Sequence, residues 1–278
     1  MEKKNILISF DLDGTLLDSH RVLDQRNLEF FKYLKENKYK FVINTGRSYR
    51  SALRFFKETN IDIICNNGNM CRNTLNDEII FINPISKEKA MEIILSIDKY
   101  SLIQPLLHIN AFEKGFDVVA IDKKTTVKAR RYLDDFGEHL LKVKNFDKIT
   151  YDILSIVLVG DYESLNYHKI ELKKKFDKFN FHLMKIHSKN TFMLEILPEN
   201  SDKWYGLLSY KSHNNLLSYK VISIGDDSND AMSIKNSDIG IAMKNSDFLI
   251  KQNADVISDF DNNELGAIKI IKKILEEE

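Results

Sequence analysis

Two acidic turns hold most of the chemistry this sequence offers: Asp11-Leu12-Asp13-Gly14-Thr15 near its start and Gly225-Asp226-Asp227-Ser228-Asn229-Asp230 near its end. Each follows a short apolar run, residues 5–10 (NILISF) and 221–224 (VISI). Ligands of open parallel sheets bind beyond the carboxyl ends of the strands, so both turns stand where such a sheet keeps its site. Carboxylates two residues apart can converge on one point, and Gly14 lets the chain turn sharply there. An Asp-Gly pair alone is also an ordinary structural turn. The second turn packs three carboxylates into five residues, and holding them together requires a cation. Oxygen-only ligands favour Mg²⁺ over zinc or copper. An EF-hand is excluded, because its loop needs Gly at position six and Glu at position twelve. Counting from Asp11 gives Leu16 and Val22, and from Asp226 Ala231 and Ser237.

Two further strand ends carry matching residues. After residues 40–44 (KFVIN) come Thr45-Gly46-Arg47-Ser48: a hydroxyl, a glycine that allows close backbone approach, and a helix start suited to anions. After residues 61–65 (IDIIC) comes the uncharged polar loop Asn66-Asn67-Gly68-Asn69.

The elements that must position these turns alternate along the chain. Strands at 5–10, 40–44 and 61–65 are separated by amphipathic stretches at 24–38 and 49–58, which predicts a parallel sheet with right-handed crossovers. The texture returns with a helix at 203–214, strands at 221–224, 239–243 and 255–257, a short helix at 230–236 and a closing helix at 264–277. Between Pro84 and Pro198 the pattern differs. Helices are expected at 86–99, 125–137 and 165–179, strands at 118–121 and 153–159, and a hairpin of 181–186 and 192–197 around Ser188–Asn190. The reading is an α/β fold: a Rossmann-like parallel core, residues 1–83 and 199–278, with an α+β domain inserted at 84–198.

The chain has 278 residues with 41 Lys+Arg against 41 Asp+Glu. A neutral total removes the basic surplus expected of a nucleic-acid binder or an anionic-membrane binder. No apolar run reaches the roughly 18–20 residues of a membrane helix, and Cys65 and Cys71 have neither disulfide-framework nor zinc spacing. A cytoplasmic protein, monomeric or weakly dimeric, is the expectation.

The four turns in their order resemble the haloacid dehalogenase-like (HAD) superfamily: DLDGT, Thr45 in NTGRS, a lone Lys, and GDDSND. The segments NNGN, LEILPENSDKWYGL and SDIGIAMKNSDFLIKQNADVIS are similar to its Cof-type branch, which carries a large cap (type IIB, C2B) between the second and third motifs. The resemblance covers essentially the whole chain. It implies a Mg²⁺-dependent phosphatase of small phosphorylated metabolites, sugar phosphates first and cofactor phosphates behind them. Asp11 resembles the nucleophile that forms an aspartyl-phosphate, and Asp13 the general acid/base. Mg²⁺ would be held by Asp11, the backbone carbonyl of Asp13 and Asp226, with Asp227 and Asp230 behind them. Thr45 and the Gly46 N–H would donate to the phosphoryl oxygens, and Lys203 would balance charge. Lys203 is chosen over Lys211 because it follows LEILPEN at the family spacing. The catalytic candidates are thus Asp11, Asp13, Thr45 and Lys203. The substrate-binding candidates are Leu12, Thr45, Gly46, Arg47, Asn67, Lys203 and Asn229. The sequence departs from the family at Trp204, where Gly is common, and at Lys244-Asn245-Ser246, where many members read GNA.

Arg47 could equally be a surface contact, and Asn67 could satisfy its own turn. The seven histidines lack ligand spacing, and Lys173-Lys174-Lys175 reads as a solvated helix face. Glu195 could meet a substrate hydroxyl or pair with a neighbour. Rival functions are a phosphotransferase or mutase on the same scaffold, a glycosyltransferase using the DxD metal site, and a non-catalytic phosphate sensor. The glycosyltransferase leaves Thr45, Lys203 and GDDSND unexplained.

Overall fold

The computed structural model describes residues 5–97, 103–186 and 190–277. The chain divides into two compact units, Met1–Ile82 with Asp202–Glu278, and Asn83–Ser201.

In chain order the first unit contains β1 (Ile6–Phe10), α1 (Gln25–Glu36), β2 (Lys40–Asn44), α2 (Tyr49–Leu53), β3 (Asp62–Cys65), β4 (Met70–Asn73) and β5 (Ile79–Ile82). The second unit holds α3 (Lys87–Ser96), β6 (Leu106–Ala111), β7 (Phe116–Ile121), α4 (Val127–Asp134), β8 (Leu140–Val143), β9 (Asp152–Gly160), α5 (Tyr162–Lys175), β10 (Asn180–Lys185) and β11 (Phe192–Leu197). The chain then returns to the first unit with α6 (Lys203–His213), β12 (Lys220–Gly225), α7 (Ala231–Asn236), β13 (Ile239–Ala242), α8 (Phe248–Lys251), β14 (Val256–Ile257) and α9 (Gly266–Glu277).

The first unit is built on an eight-stranded sheet of order β14-β13-β12-β1-β2-β3-β4-β5. The six strands from β14 to β3 run parallel, as the apolar runs predict. β1 is buried along its whole length, the mark of a strand covered on both faces. Register does the positioning. Phe10 pairs with both Ile43 and Ile224, so β1, β2 and β12 end side by side and deliver Asp11, Thr45 and Asp226 to one edge. α1 starts at Asp24, whose side chain accepts from the Arg26 N–H, and buries Phe30, Phe31 and Leu34.

Two details depart from the sequence expectation. The antiparallel pair β4–β5 extends the sheet beyond β3. It escaped notice because β4 reads MCRN, with an arginine at its centre. Arg72 is fully buried there, its guanidinium 5.4 Å from the Tyr49 ring centre. The helix expected over 49–58 also closes early, at Leu53. Short bonds from the Phe55 and Phe56 N–H groups to Ala52 and Leu53 tighten the chain, and Glu58 and Asn60 are left-handed.

The inserted unit carries a six-stranded sheet of order β10-β11-β9-β6-β7-β8, antiparallel except for β7–β8. α3 and α5 bury Ala90, Ile93, Leu165 and Leu172 with Leu107, Ile156, Leu158 and Ile196 of the strands. α4 contributes Ala129, Tyr132 and Leu133 to a separate cluster with Leu106, Val118 and Val157. The paired strands expected at 181–186 and 192–197 are β10 and β11. His187, Ser188 and Lys189 of their turn, and Asp98 and Lys99 of the helix expected over 86–99, lie outside the described residues. β6 and β8 were not foreseen, since His108 and Asn110 interrupt the apolar run of β6.

α6 opens with Lys203, and its placement rests on one close approach. A Cβ on Gly206 would lie 2.5 Å from Gly68 Cα and 2.9 Å from Ile64 Cγ2, so helix and turn meet backbone to backbone. Gly206→Ala should therefore destabilise by about 1–3 kcal/mol as overpacking does. Thermal unfolding should fall by several degrees, and an unchanged midpoint would show that the approach is not a constraint.

Candidate active site

The carboxyl end of β1 leads directly into Asp11, whose backbone N–H donates to Ile224 O and keeps it in register with β12. Its side chain is 6% exposed. The neighbouring positive charge comes from Lys203, the first residue of α6. Asp202 caps that helix by accepting from the Tyr205 N–H, and Asn44 Nδ2 holds the Lys203 carbonyl at 2.9 Å. Lys203 Nζ lies 2.5 Å from Asp11 Oδ1 and 2.6 Å from Asp230 Oδ1, with the lysine 1% exposed. A buried ammonium is stable only when paired and hydrogen-bonded, and here two carboxylates do both.

Asp230 also accepts at Oδ2 from the backbone N–H groups of Asp226 and Asp227, each at 3.2 Å. That pattern curls the loop after β12 so that Asp226 faces the first turn. Asp226 Oδ1 accepts from Thr15 Oγ1 at 3.2 Å. Gly14 is required here: its φ is +72°, and a Cβ would stand 2.2 Å from Asp226 Oδ2. Asn245 Nδ2 donates to Gly14 O at 2.8 Å and reaches Asp226 Oδ2 at 3.4 Å, bridging the two turns.

Asp11, Asp226 and Asp230 each present a carboxylate oxygen within 4.8 Å of the others. Three acids against one ammonium leave negative charge in a water-poor place. Burial first, then the neighbouring acids, hold the Asp11 carboxyl well above its ordinary range. Burial and Asp230 push Asp226 up to about 7. Burial pulls Lys203 down, but Asp11 and Asp230 outweigh it, so its pKa stays above the ordinary lysine value and it is charged. The donor set is all oxygen and carries surplus negative charge, so it fits a divalent cation. Asp230 has both oxygens engaged and serves as the brace of the cluster.

The other expected residues fall into two groups beside this one. Thr45 is buried, its N–H bonded to Ile64 O and its Oγ1 accepting from the Arg47 N–H at 3.2 Å. Asn229 Nδ2 donates to Asn67 Oδ1 at 3.1 Å, directly above Gly46. Asn66, Asn67 and Gly68 are left-handed in succession, which turns the Asn67 side chain back to that position. Arg47, expected at the substrate, instead forks onto Asp13 through Nε and Nη2. Leu12 is fully buried, and its carbonyl accepts from the Leu16 and Leu17 N–H groups. Asp230, expected behind the metal ligands, has both oxygens engaged, by Lys203 and by its own turn. Sequence reasoning missed Asn245, although KNS keeps the asparagine of GNA.

Glu195 is buried in the inserted unit and accepts from Ser155 Oγ at 3.0 Å. His108 Nε2 meets Tyr132 Oη at 2.8 Å, and burial pushes its pKa down to about 4. Lys173, Lys174 and Lys175 are exposed. Among the described residues no helix is long and apolar enough to cross a membrane.

The profile of a family described as haloacid dehalogenase-like hydrolase matches residues 8–271. A protein of Mycoplasma genitalium named as a candidate phosphatase, MG265, is 28% identical over 288 residues, covering 99% of each chain. The Bacillus subtilis 5-amino-6-(5-phospho-D-ribitylamino)uracil phosphatase YitU is 24% identical over 98% of each chain. The crystal structure of a haloacid dehalogenase-like hydrolase from Bacteroides thetaiotaomicron superposes with a TM-score of 0.75 at 24% identity, covering 97% of this chain and 99% of that one. The two-sheet α/β architecture is shared.

The raised pKa of Asp226 fixes the sign of a pH effect. Its folded value of about 7 exceeds the unfolded 3.8. Between pH 6 and 8 the fold gives up a proton that the unfolded chain has already lost, so metal-free stability falls as pH rises. His108 titrates in the opposite sense, mostly below that window. Thermal unfolding without metal should therefore show a lower midpoint at pH 8 than at pH 6, flattened in Asp226→Asn. Mg²⁺ should raise the midpoint more at pH 8. A wild-type midpoint that does not fall between pH 6 and pH 8, or a fall left unchanged in Asp226→Asn, would refute the assignment.

Proposed function

The chain belongs to the haloacid dehalogenase-like hydrolases and is a phosphatase of that family; on this premise we propose that it hydrolyses small phosphorylated metabolites, sugar phosphates above all, with Mg²⁺ as its cation. The observation that carries the reading is the buried Lys203 ammonium bound at once to Asp11 and Asp230 beside Asp226. A nucleophile, a compensating charge and a cation site share one strand edge. The relative named for a ribitylamino-uracil phosphate supports a small phosphomonoester as the substrate class.

In this reading Lys203 occupies Asp11 Oδ1 and leaves the other carboxylate oxygen to attack phosphorus. As the new P–O bond forms, the bond to the leaving oxygen breaks and its electron pair departs with that oxygen, which takes a proton from Asp13. Water then attacks the aspartyl-phosphate, giving a proton back to Asp13 and restoring Asp11 with release of phosphate. Thr45 Oγ1 and the Gly46 N–H hold phosphoryl oxygens, and Asn229 reaches another beside Asn67. Asp11, the Asp13 carbonyl and Asp226 would hold Mg²⁺, which when bound offsets the repulsion between nucleophile and phosphate. Cys65 and Cys71 are buried and not joined in a disulfide, in keeping with a reducing cytosol.

Asp11→Asn should reduce phosphate release by about a thousandfold or more, the scale of nucleophile removal. Chelation of the metal should do the same. Retained turnover of an aryl phosphate by Asp11→Asn would remove the covalent route. With water as sole acceptor, a panel of phosphomonoesters should release free phosphate, fastest from sugar phosphates. Release that requires an added sugar acceptor would make the enzyme a phosphotransferase.

A further inference from the structure

Asp13 lies in an exposed turn, its side chain 46% accessible, and yet its carboxylate is fixed. Arg47 Nε donates to Oδ2 and Nη2 to Oδ1, both at 2.5 Å, so the two planar groups face each other edge to edge. Arg47 is the only side chain among the described residues that bonds this carboxylate. The arginine is itself held. Nη1 lies 3.3 Å from Ser51 Oγ, Cζ stands 5.1 Å from the Phe55 ring centre, and the side chain is 13% exposed. Its backbone is pinned as well, by Thr45 Oγ1 on its N–H and by the Asn66 N–H on its carbonyl.

We propose that Arg47 is a positioning residue that sets the orientation of Asp13, and that it is not a ligand of the transferred phosphate. The two donors on one edge of the guanidinium are spent on Asp13, and the remaining nitrogen meets Ser51. A bidentate pair fixes the plane of a carboxylate, which a point charge does not do. The inference rests on Asp13 as the proton donor of the proposed mechanism. A protonated Asp13 keeps its carbonyl oxygen on the guanidinium and turns its hydroxyl toward the leaving oxygen. Without Arg47 the carboxyl samples its rotamers, and the proton is misplaced as the P–O bond breaks.

The consequence is selective. A sugar leaving group needs the proton, while a nitrophenolate departs without it. The test is single-turnover release of the leaving group, with the full chain in excess and Mg²⁺ present, from a hexose 6-phosphate and from 4-nitrophenyl phosphate. This isolates the first step from hydrolysis of the intermediate. Arg47→Ala should slow release of the sugar about 10- to 100-fold, the scale of a displaced catalytic group. Release of nitrophenol should change by less than about threefold, since its departure does not draw on acid catalysis. Arg47→Lys, which keeps the charge but loses the fork, should show the same selective loss. It guards against a misfolded alanine variant. Added to Asp13→Asn, Arg47→Ala should cost little more, because both act through one carboxyl group.

Equal losses on both substrates, rescued by lysine, would make Arg47 a phosphate ligand and overturn the proposal. So would additivity with Asp13→Asn. Leaving-group dependence in Asp13→Asn without it in Arg47→Ala would overturn the Arg47 proposal alone. Its absence in Asp13→Asn would overturn the acid reading and this inference with it.

Discussion

The site depends on a lysine with no water to solvate it. An ammonium 1% exposed is tenable only because Asp11 and Asp230 approach it from two different loops. Removing Lys203 would leave two buried carboxylates without their counter-charge, and losing one half of a buried pair typically costs about 3–5 kcal/mol. The interaction therefore does more than offset the charge of Asp11. It joins the end of β1 to the start of α6 and the end of β12, which lie far from β1 in sequence. The backbone approach of Gly206 to Gly68 and the Asn44 bond to the Lys203 carbonyl bring the lysine to that point.

Asp230 shows how a local capping rule comes to shape the cluster. Its Oδ2 accepts two backbone N–H groups of its own turn, as a capping side chain does. Its Oδ1 takes the lysine. The residue that shapes the loop is thus also the one that anchors the charge, and Asp226 is left presenting oxygens toward Asp11. Burial makes that presentation unfavourable without a cation, so the metal-free loop is expected to hold a proton at neutral pH. Affinity for a divalent ion and sensitivity to acid are then two aspects of one electrostatic fact.

Much of this was legible in the sequence because parallel strands are written as nearly unbroken apolar runs, and the turns after them carry unmistakable residues. Asp11, Thr45, Lys203 and Asp226 stand at strand or helix ends whose limits the sequence marks clearly. Elements that break the apolar rule were not legible. β4 hides a buried arginine and β6 alternates histidine and asparagine with leucine and isoleucine, so neither reads as a strand. Side-chain direction was equally hidden. That Asp230 would turn inward onto Lys203, that Asn245 would bridge Gly14 to Asp226, or that Arg47 would fold back on Asp13 depends on contacts 27, 231 and 34 residues apart in sequence. Spacing within a motif carries no trace of these.

The two cations of the site are not interchangeable, and their geometry says why. Lys203 must satisfy two carboxylates arriving from different directions in a confined space, which suits a compact ammonium with three rotatable donors and would not admit a planar guanidinium. Arg47 serves one carboxylate whose plane has to be set, and it does so from a partly covered position where its own ring and hydroxyl contacts hold the fork in place. A point charge there would attract Asp13 without orienting it. Charge balance alone would accept either residue at either position. The need for a compact donor at one carboxylate cluster and a flat one at another is what distinguishes the ammonium beside Asp11 and Asp230 from the guanidinium beside Asp13.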